Sequence, residues 1–381
     1  MTFQNALANV VSNAQTLRDA ARTKDAKVLS SLLGPALRGF VLQSARGATQ
    51  TTLPVAGTAQ FRWKYEEDQP DFRKLYRAAK RSQWDAESAL DWSIEVDPFD
   101  PERPLLADEW VPFEQLGAWK KMTSREKVEH VRDYIAWVLS QFLHGEQGAL
   151  FAACEVTQAV PWYEGKLYGA TQVVDEARHL EVFHRYLSTK LERHYAIDDN
   201  LYVVIDAIVS DPRFDVKFLG MQIMVEGLAL GAFGTYRSTT REPLLKELLK
   251  LVITDEARHV HYGVLALAEH VKTLSASERK EREDYAFELA LLMRNRFLAH
   301  EFFEEHFAHV MSRREWDRFA LTAPLMQHFR RTMFQRIVPN LKRIGLLSDR
   351  VRPYYAELGL LEFEHGKAAP ELTAGDLLAG T

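Results

Sequence analysis

The chain has 381 residues, enough for one large domain or two modest ones with a sizeable core. Apolar residues make up 46% and charged residues 27%, and a formal charge of −5 without a strongly basic block argues against nucleic acid as a partner. A single cysteine, Cys154, excludes an intramolecular disulfide framework and any Cys-x-x-Cys zinc or rubredoxin site, and it fits a reducing cytoplasm. No apolar signal-peptide core opens the chain and no run approaches about 18 uninterrupted apolar residues, so no membrane span is expected.

In chain order, residues 4–22 and 27–44 read as two N-terminal helices. Residues 45–62, rich in Gly, Thr and Ala, read as a loop. A short helix is expected over 71–83, then an irregular, Pro-rich stretch through Pro112. Thr123 and Glu126 have capping-box spacing, so a long helix should run from there to about Val156. Pro161 fits the first turn of the next helix, which should reach about Arg193. Residues 214–239 and 243–273 repeat that pattern, with Pro243 at a helix start. Ser275 and Glu278 cap a further helix expected to reach about His309. Helix continues to about Ile344, and the tail from Gly366 reads as frayed. With no run of alternating strands, the fold class is all-α.

The pentapeptide Asp-Glu-Ala-Arg-His occurs twice, at 175–179 and 255–259, 80 residues apart. Each copy has matching company. Glu146 lies 30 residues before Glu176, and Glu226 lies 30 residues before Glu256. The repeat is therefore of a hairpin and not only of a pentapeptide. Glu146 and Glu176 stand at similar distances from the turn near Pro161, so an antiparallel helix pair brings them level. Glu226 and Glu256 do the same around Pro243. Within each pentapeptide Glu and His are at i and i+3, on one helix face. Two such hairpins packed together gather four glutamates and two histidines. Unpaired carboxylates in a bundle core are costly, and a metal pair removes that cost. The donor set suits iron or manganese with positions left for oxygen. One Glu from each of two helices, and Glu-x-x-His from each of the others, is the ferritin-like di-metal arrangement.

Glu146, Asp175 to His179, Glu226 and Asp255 to His259 resemble the ferritin-like di-iron oxidases and oxygenases. That superfamily includes monooxygenase hydroxylases, arylamine N-oxygenases, acyl-carrier-protein desaturases and ribonucleotide reductase small subunits. The segment Tyr76–Ser93 also resembles one that precedes the bundle in some members. The resemblance implies a ferritin-like four-helix bundle over 120–310. Residues 1–119 would form a helical extension packed on it, and 311–381 a C-terminal extension and tail. It implies two metal ions, iron or a Mn/Fe pair, held by Glu146, Glu176, His179, Glu226, Glu256 and His259, with Glu176 and Glu256 bridging. Asp175 would support His259, and Asp255 would support His179, each across the repeat. Arg178 and Arg258 would pair with nearby carboxylates. Glu155 breaks the repeat spacing and is read as a non-ligand. His144, His184, His261, His300 and His306 read as surface or structural residues, and Cys154 as a buried structural thiol.

Three functions share such a site. The favoured one is O2-dependent oxidation of a small organic molecule, by hydroxylation or N-oxygenation, with an external ferredoxin or reductase as electron donor and a homodimer as one assembly. Iron storage or peroxide detoxification is disfavoured by the long extensions on both sides of the bundle. A ribonucleotide reductase small subunit is disfavoured because Phe183 stands where its radical tyrosine usually lies, and no tyrosine follows Tyr355. Two further departures stand out. Val252 occupies the place of the extra histidine of arylamine N-oxygenases, and Leu230 that of the hydroxylase threonine. Ala149, Leu150 and Ala153 beyond Glu146, and Ala229, Leu230 and Phe233 beyond Glu226, are expected to line one apolar substrate pocket beside the metals.

Overall fold

The computed structural model describes residues 9–11, 13, 22–373 and 375–376, and among these there are helices and turns but no strand. The expected helix over 4–22 lies mostly outside the described residues. Helix α1 (Ala26–Ala36) starts at Asp25, whose carboxylate accepts from the Lys27 and Val28 amides, and continues as a wider turn to Val41. Helix α2 (Pro70–Arg81) follows an irregular arm.

Four long helices position the centre. Helix α3 (Ser124–Ala159) begins in the expected capping box of Thr123 and Glu126. Helix α4 (Tyr163–Tyr186) continues in a widened turn to Leu191. Pro161 does not enter α4: Trp162 is extended and serves as its N-cap. Helix α6 spans Phe214–Thr239 and α7 spans Pro243–Thr273, where Glu242 caps the Leu244 and Leu245 amides. Residues 194–213 carry no expected element. They hold helix α5 (Asp199–Ser210), capped by Asp198 and almost wholly buried. Nearly all its residues are buried and most are apolar, so it has few of the exposed polar residues that betray an amphipathic helix.

Helix α6 is long and apolar enough to cross a membrane by composition, but 94% of its most apolar window is buried inside the protein. It is the central helix of the core. Its middle, Leu219–Val225, is π-helical and ends directly at Glu226. Such wide turns cost regular hydrogen bonding and recur at functional sites. Gly231 in α6 lets the helix meet a neighbouring backbone, since a Cβ there would lie 2.7 Å from the Met333 carbonyl oxygen.

Beyond α7 the expectations are corrected in part. Helix α8 starts after the Ser275–Glu278 capping box but ends at Asn295, because Ala299 takes left-handed φ and ψ of 50° and breaks the direction. His300–His306 is a separate helix, α9. The stretch to Ile344 is three helices, α10 (Arg313–Thr322), α11 (Pro324–Phe334) and α12 (Ile337–Ile344). The tail is docked rather than frayed up to Asp376: the Ala369 amide donates to Asn340 Oδ1 at 2.8 Å, and Lys367 pairs with Asp376. One apolar core runs from Val28 to Ala369.

The direction of packing matters for the site. Tyr134 of α3 meets Tyr236 of α6, hydroxyl to hydroxyl at 3.4 Å, and Phe142 meets Phe233 with ring centroids 4.6 Å apart. Early α3 therefore faces late α6, and the two helices are antiparallel.

Candidate metal centre

Glu146 projects from α3, Glu176 and His179 from α4, Glu226 from α6, and Glu256 and His259 from α7; all six are buried. The two imidazoles have ring centroids 5.9 Å apart. His179 Nδ1 lies 3.2 Å from Glu146 Oε2, 3.5 Å from Glu176 Oε2 and 3.2 Å from Glu256 Oε1. His259 Nδ1 lies 3.1 Å from Glu176 Oε1 and 3.5 Å from Glu256 Oε2. Each of Glu176 and Glu256 thus turns one oxygen to each histidine. Ligand-type atoms of Glu146, Glu176, His179 and Glu256 lie within 4.8 Å of one another, as do those of Glu176, Glu226 and His259.

The far side of each imidazole is held across the repeat. His179 Nε2 lies 3.4 Å from Asp255 Oδ2, and His259 Nε2 lies 3.3 Å from Asp175 Oδ2. A carboxylate at Nε2 puts the proton there and leaves the Nδ1 lone pair facing the glutamates. Arg178 donates to Asp175 at 2.5 Å and to Asp255 at 3.0 Å. Arg258 pairs with Asp255 and, at 3.6 Å, with Asp175.

The electrostatics fit a cationic guest. Burial, with Glu256 nearby, pushes Glu146 well above the ordinary carboxylate range. Burial does the same to Glu226, reinforced by Glu256 and Glu176. Burial also opposes the ionised form of Glu176, but the two facing histidines, His259 above all, hold it low. Burial disfavours charge on His179 and His259, yet facing glutamates outweigh it and raise both. Glu176 Oε2, Glu226 Oε2, Glu256 Oε2 and His259 Nδ1 have no hydrogen-bond partner. Buried polar atoms seldom go unpaired, and carboxylate and imidazole lone pairs aimed at common points suit metal ions.

Four neighbours were not expected from the motif. Gln172, one turn before Glu176, donates its amide to Glu176 Oε1 at 3.1 Å and Glu226 Oε1 at 3.0 Å. Gln83 donates to Asp175 and accepts from Arg178. Trp84 Nε1 donates to Asp255 at 2.7 Å, and Arg178 lies over its ring. Tyr168 is fully buried two turns before Glu176. Gln83 and Trp84 fall inside the Tyr76–Ser93 segment, and helical spacing from Glu176 was the available signal for Gln172 and Tyr168.

The six expected pocket residues do not share one chamber. Because α3 and α6 are antiparallel, Ala149, Leu150 and Ala153 extend toward one end of the bundle and Ala229, Leu230 and Phe233 toward the other. Leu150 and Ala229 are only half-buried. Phe233 packs in a ring cluster with Phe142 and Phe183, centroids 4.6 and 5.8 Å away, and fills its end.

The remaining candidates lie apart from the centre. Glu155 pairs with buried Lys217. His144 bonds the Tyr195 carbonyl, His300 is held between Asp317 and Arg313, and His306 stacks on Phe302. Cys154 is half-buried rather than fully buried.

The sequence model of the p-aminobenzoate N-oxygenase AurF family matches residues 67–345, most of the chain and all of the centre. The chain belongs to this family. With the AurF family it is a ferritin-like di-iron oxidoreductase. No curated protein matches the chain. Solved structures of similar fold include R2-like ligand-binding oxidases. A variant with an anaerobically reconstituted Mn/Fe cofactor is 20% identical, covering 74% of this chain and 95% of that chain at a TM-score of 0.45. Another, with an aerobically reconstituted metal cofactor after photoconversion, is 16% identical, covering 74% and 94% at 0.47. The oxidase from Sulfolobus acidocaldarius is 20% identical, covering 68% and 90% at 0.40.

Proposed function

We propose that Glu146, Glu176, His179, Glu226, Glu256 and His259 hold two iron ions and that the protein N-oxygenates a small aromatic amine. The observation that carries the metal assignment is the division of oxygens: Glu176 and Glu256 each offer one to each histidine, as bridging ligands do. The family supports the choice of amine oxygenation. Two ferrous ions held by these residues would supply the redox chemistry that lets O2 serve as the oxygen donor. The overall step balances as amine, O2, two electrons and two protons giving hydroxylamine and water, so an external two-electron donor such as a ferredoxin or reductase is part of the proposal.

The chain's own residues then have separable tasks. Asp175 and Asp255 fix the tautomer and orientation of the histidines. Arg178 and Arg258, always charged, offset the acidic cluster. Phe142, Phe183 and Phe233 exclude water from one end. Val252, fully buried one turn before Glu256, offers no seventh ligand.

The test is anaerobic loading with ferrous iron, then O2, followed by Mössbauer and optical spectra. Substrates should include p-aminobenzoate, aniline, benzoate and an acyl thioester. The proposal expects two irons per chain and an N-oxygenated product from the amines alone. A single iron after full reconstitution, or products only from the substrates without an amine, overturns it.

A further inference from the structure

The 80-residue repeat makes the ligands nearly symmetric, so positions where it fails show what differs between the two ends of the bundle. One turn before Glu146 stands Phe142; one turn before Glu226 stands Gln222. Two turns after these glutamates stand Ala153 and Phe233. One turn before Glu176 stands Gln172, against Val252 before Glu256. One turn after His179 stands Phe183, against Gly263 after His259. The helix directions sort these eight residues by end. Phe142, Phe183, Phe233 and Val252 lie at one end, and the rings of the three phenylalanines pack together there. Gln222, Gln172, Ala153 and Gly263 lie at the other, with Tyr168 one turn beyond Gln172.

That second end is dry of partners. Gln222, Gln172 and Tyr168 are each 0% exposed. Neither amide atom of Gln222, nor Gln172 Oε1, nor the Tyr168 hydroxyl has a hydrogen-bond partner. Leaving one buried polar group unpaired is expensive, and here three side chains do so at neighbouring levels. The fold also makes room for them. A Cβ on Gly263 would sit 2.6 Å from Gln222 Cβ, so only glycine lets Gln222 pack there. On α3, the residue two turns beyond Glu146 toward this end is a buried alanine, Ala153.

The orientation of Gln172 is dictated by its neighbours. With cations at the centre Glu176 and Glu226 would be ionised and could only accept, so the Gln172 amide N–H groups face them, which leaves its carbonyl oxygen turned away. The free groups are then two amide carbonyls, one amide N–H2 and one phenol. None is cationic, and Arg178 and Arg258 are engaged by Asp175 and Asp255. A carboxylate or phosphate would find no balancing charge. A neutral primary amine brings two N–H donors for two carbonyls.

Resting on the N-oxygenation reading, we infer that Gln172, Gln222 and Tyr168 form the recess that receives the substrate's amino group, with its aromatic body toward Ala153. Gln222 and Tyr168 are positioning residues: they orient the nitrogen toward the Glu226 side of the centre, and after oxygenation their N–H and O–H groups can donate to the new oxygen.

The experiment is anaerobic calorimetric titration of Mn(II)-loaded protein with aniline, and with benzene-ring analogues that lack the amino group. Gln222→Met keeps length and removes the amide; Tyr168→Phe removes the hydroxyl. Each should weaken aniline binding about tenfold, the value of one or two neutral hydrogen bonds. Binding of amine-free analogues and metal content should stay as in the unaltered protein, and Tm should hold or rise, because each variant removes a buried polar group without a partner. Equal aniline Kd in the unaltered protein and both variants overturns the inference, as does equal weakening of the amine-free analogues. Protein that binds aniline in a Gln222-dependent way yet consumes no O2 with it supports the recess while removing the N-oxygenation reading.

Discussion

Replacing Asp255 by Asn changes one atom of the side chain and removes one charge, and the structure says what should follow. Asp255 accepts from four donors. Trp84 Nε1 at 2.7 Å, Arg178 at 3.0 Å and His179 Nε2 at 3.4 Å meet Oδ2, while Arg258 meets Oδ1. An asparagine has one accepting oxygen and one donating nitrogen. Whichever way it turns, an N–H2 faces a donor. The cheaper choice keeps the oxygen toward Trp84, Arg178 and His179 and sets the amide against Arg258, which breaks that pair. His179 then loses an anionic partner, and its Nδ1 becomes a weaker base. Loss of such a supporting carboxylate typically costs about 10–100-fold in metal affinity, or roughly 1.4–2.7 kcal/mol. The assay is competition for ferrous iron against a graded chelator, read per site by Mössbauer spectroscopy, with Tm measured in parallel. Asp255→Asn should weaken the ion beside His179, and Asp175→Asn the ion beside His259. If both variants keep iron as tightly as the unaltered protein, the aspartates do not support the ligands.

Further outcomes follow from other parts of the molecule. Metal removal should lower Tm, and restoring ferrous iron at a hundredfold excess over Kd should return about 2.7 kcal/mol per site; a Tm indifferent to metal would contradict the buried cluster. Gly231→Ala should destabilise by roughly 1–3 kcal/mol, because its methyl meets the Met333 backbone, while Gly234→Ala, with nothing within 4 Å, should stabilise by about 0.5–1 kcal/mol; denaturant midpoints decide. Ala153→Phe should abolish amine binding while iron is retained, with an overpacking cost of roughly 1–3 kcal/mol, and unchanged amine Kd would remove it from the recess. Asp215, whose ionised form burial opposes, is nevertheless held at about 2 by His270 and Arg282, below its ordinary 3.8. A depressed carboxylate contributes stability above the unfolded value that is lost as pH falls from about 4 to about 2, so Asp215→Asn should cost about 2 kcal/mol at pH 7 and nothing below pH 2 in acid-unfolding curves.

The helices that carry the centre were legible because each has a polar boundary signal or an internal repeat. Thr123 with Glu126 and Ser275 with Glu278 are capping boxes written in sequence, and both form. Helix α5 was harder to read for the opposite reason: nearly all its residues are buried, and its few polar ones, such as Asp199 and Asp206, pair with Arg46 and Arg38 inside the protein and mark no exposed face. The end of α8 was missed because its cause, left-handed Ala299, is a backbone conformation that nothing in the identity of alanine announces. In the centre, Glu-x-x-His spacing placed residues on a common face, but it could not say which way α3 runs past α6. That direction is fixed by tertiary packing of Phe142 on Phe233, and it splits the expected pocket in two. Gln83 and Trp84 reach Asp175 and Asp255 from the segment just after α2, a long-range contact with no local periodicity to reveal it.

The duplication of the pentapeptide also has a charge logic. Four buried glutamates and two buried aspartates face two arginines, which leaves four negative charges when all the carboxylates are ionised. Two divalent cations bring that to zero, and one leaves two charges uncompensated in a medium where an unpaired charge is very costly. The ligands are not divisible into two independent sites either. Glu176 and Glu256 face both histidines, and each aspartate serves the histidine of the other repeat. Half a motif therefore has neither its counter-ion nor its orienting partner without the other half. Occupying one position fixes Glu176 and Glu256 for the second while leaving the residual charge that attracts it, so the two ions should bind as a coupled pair, and the two hairpins gain stability from metal together.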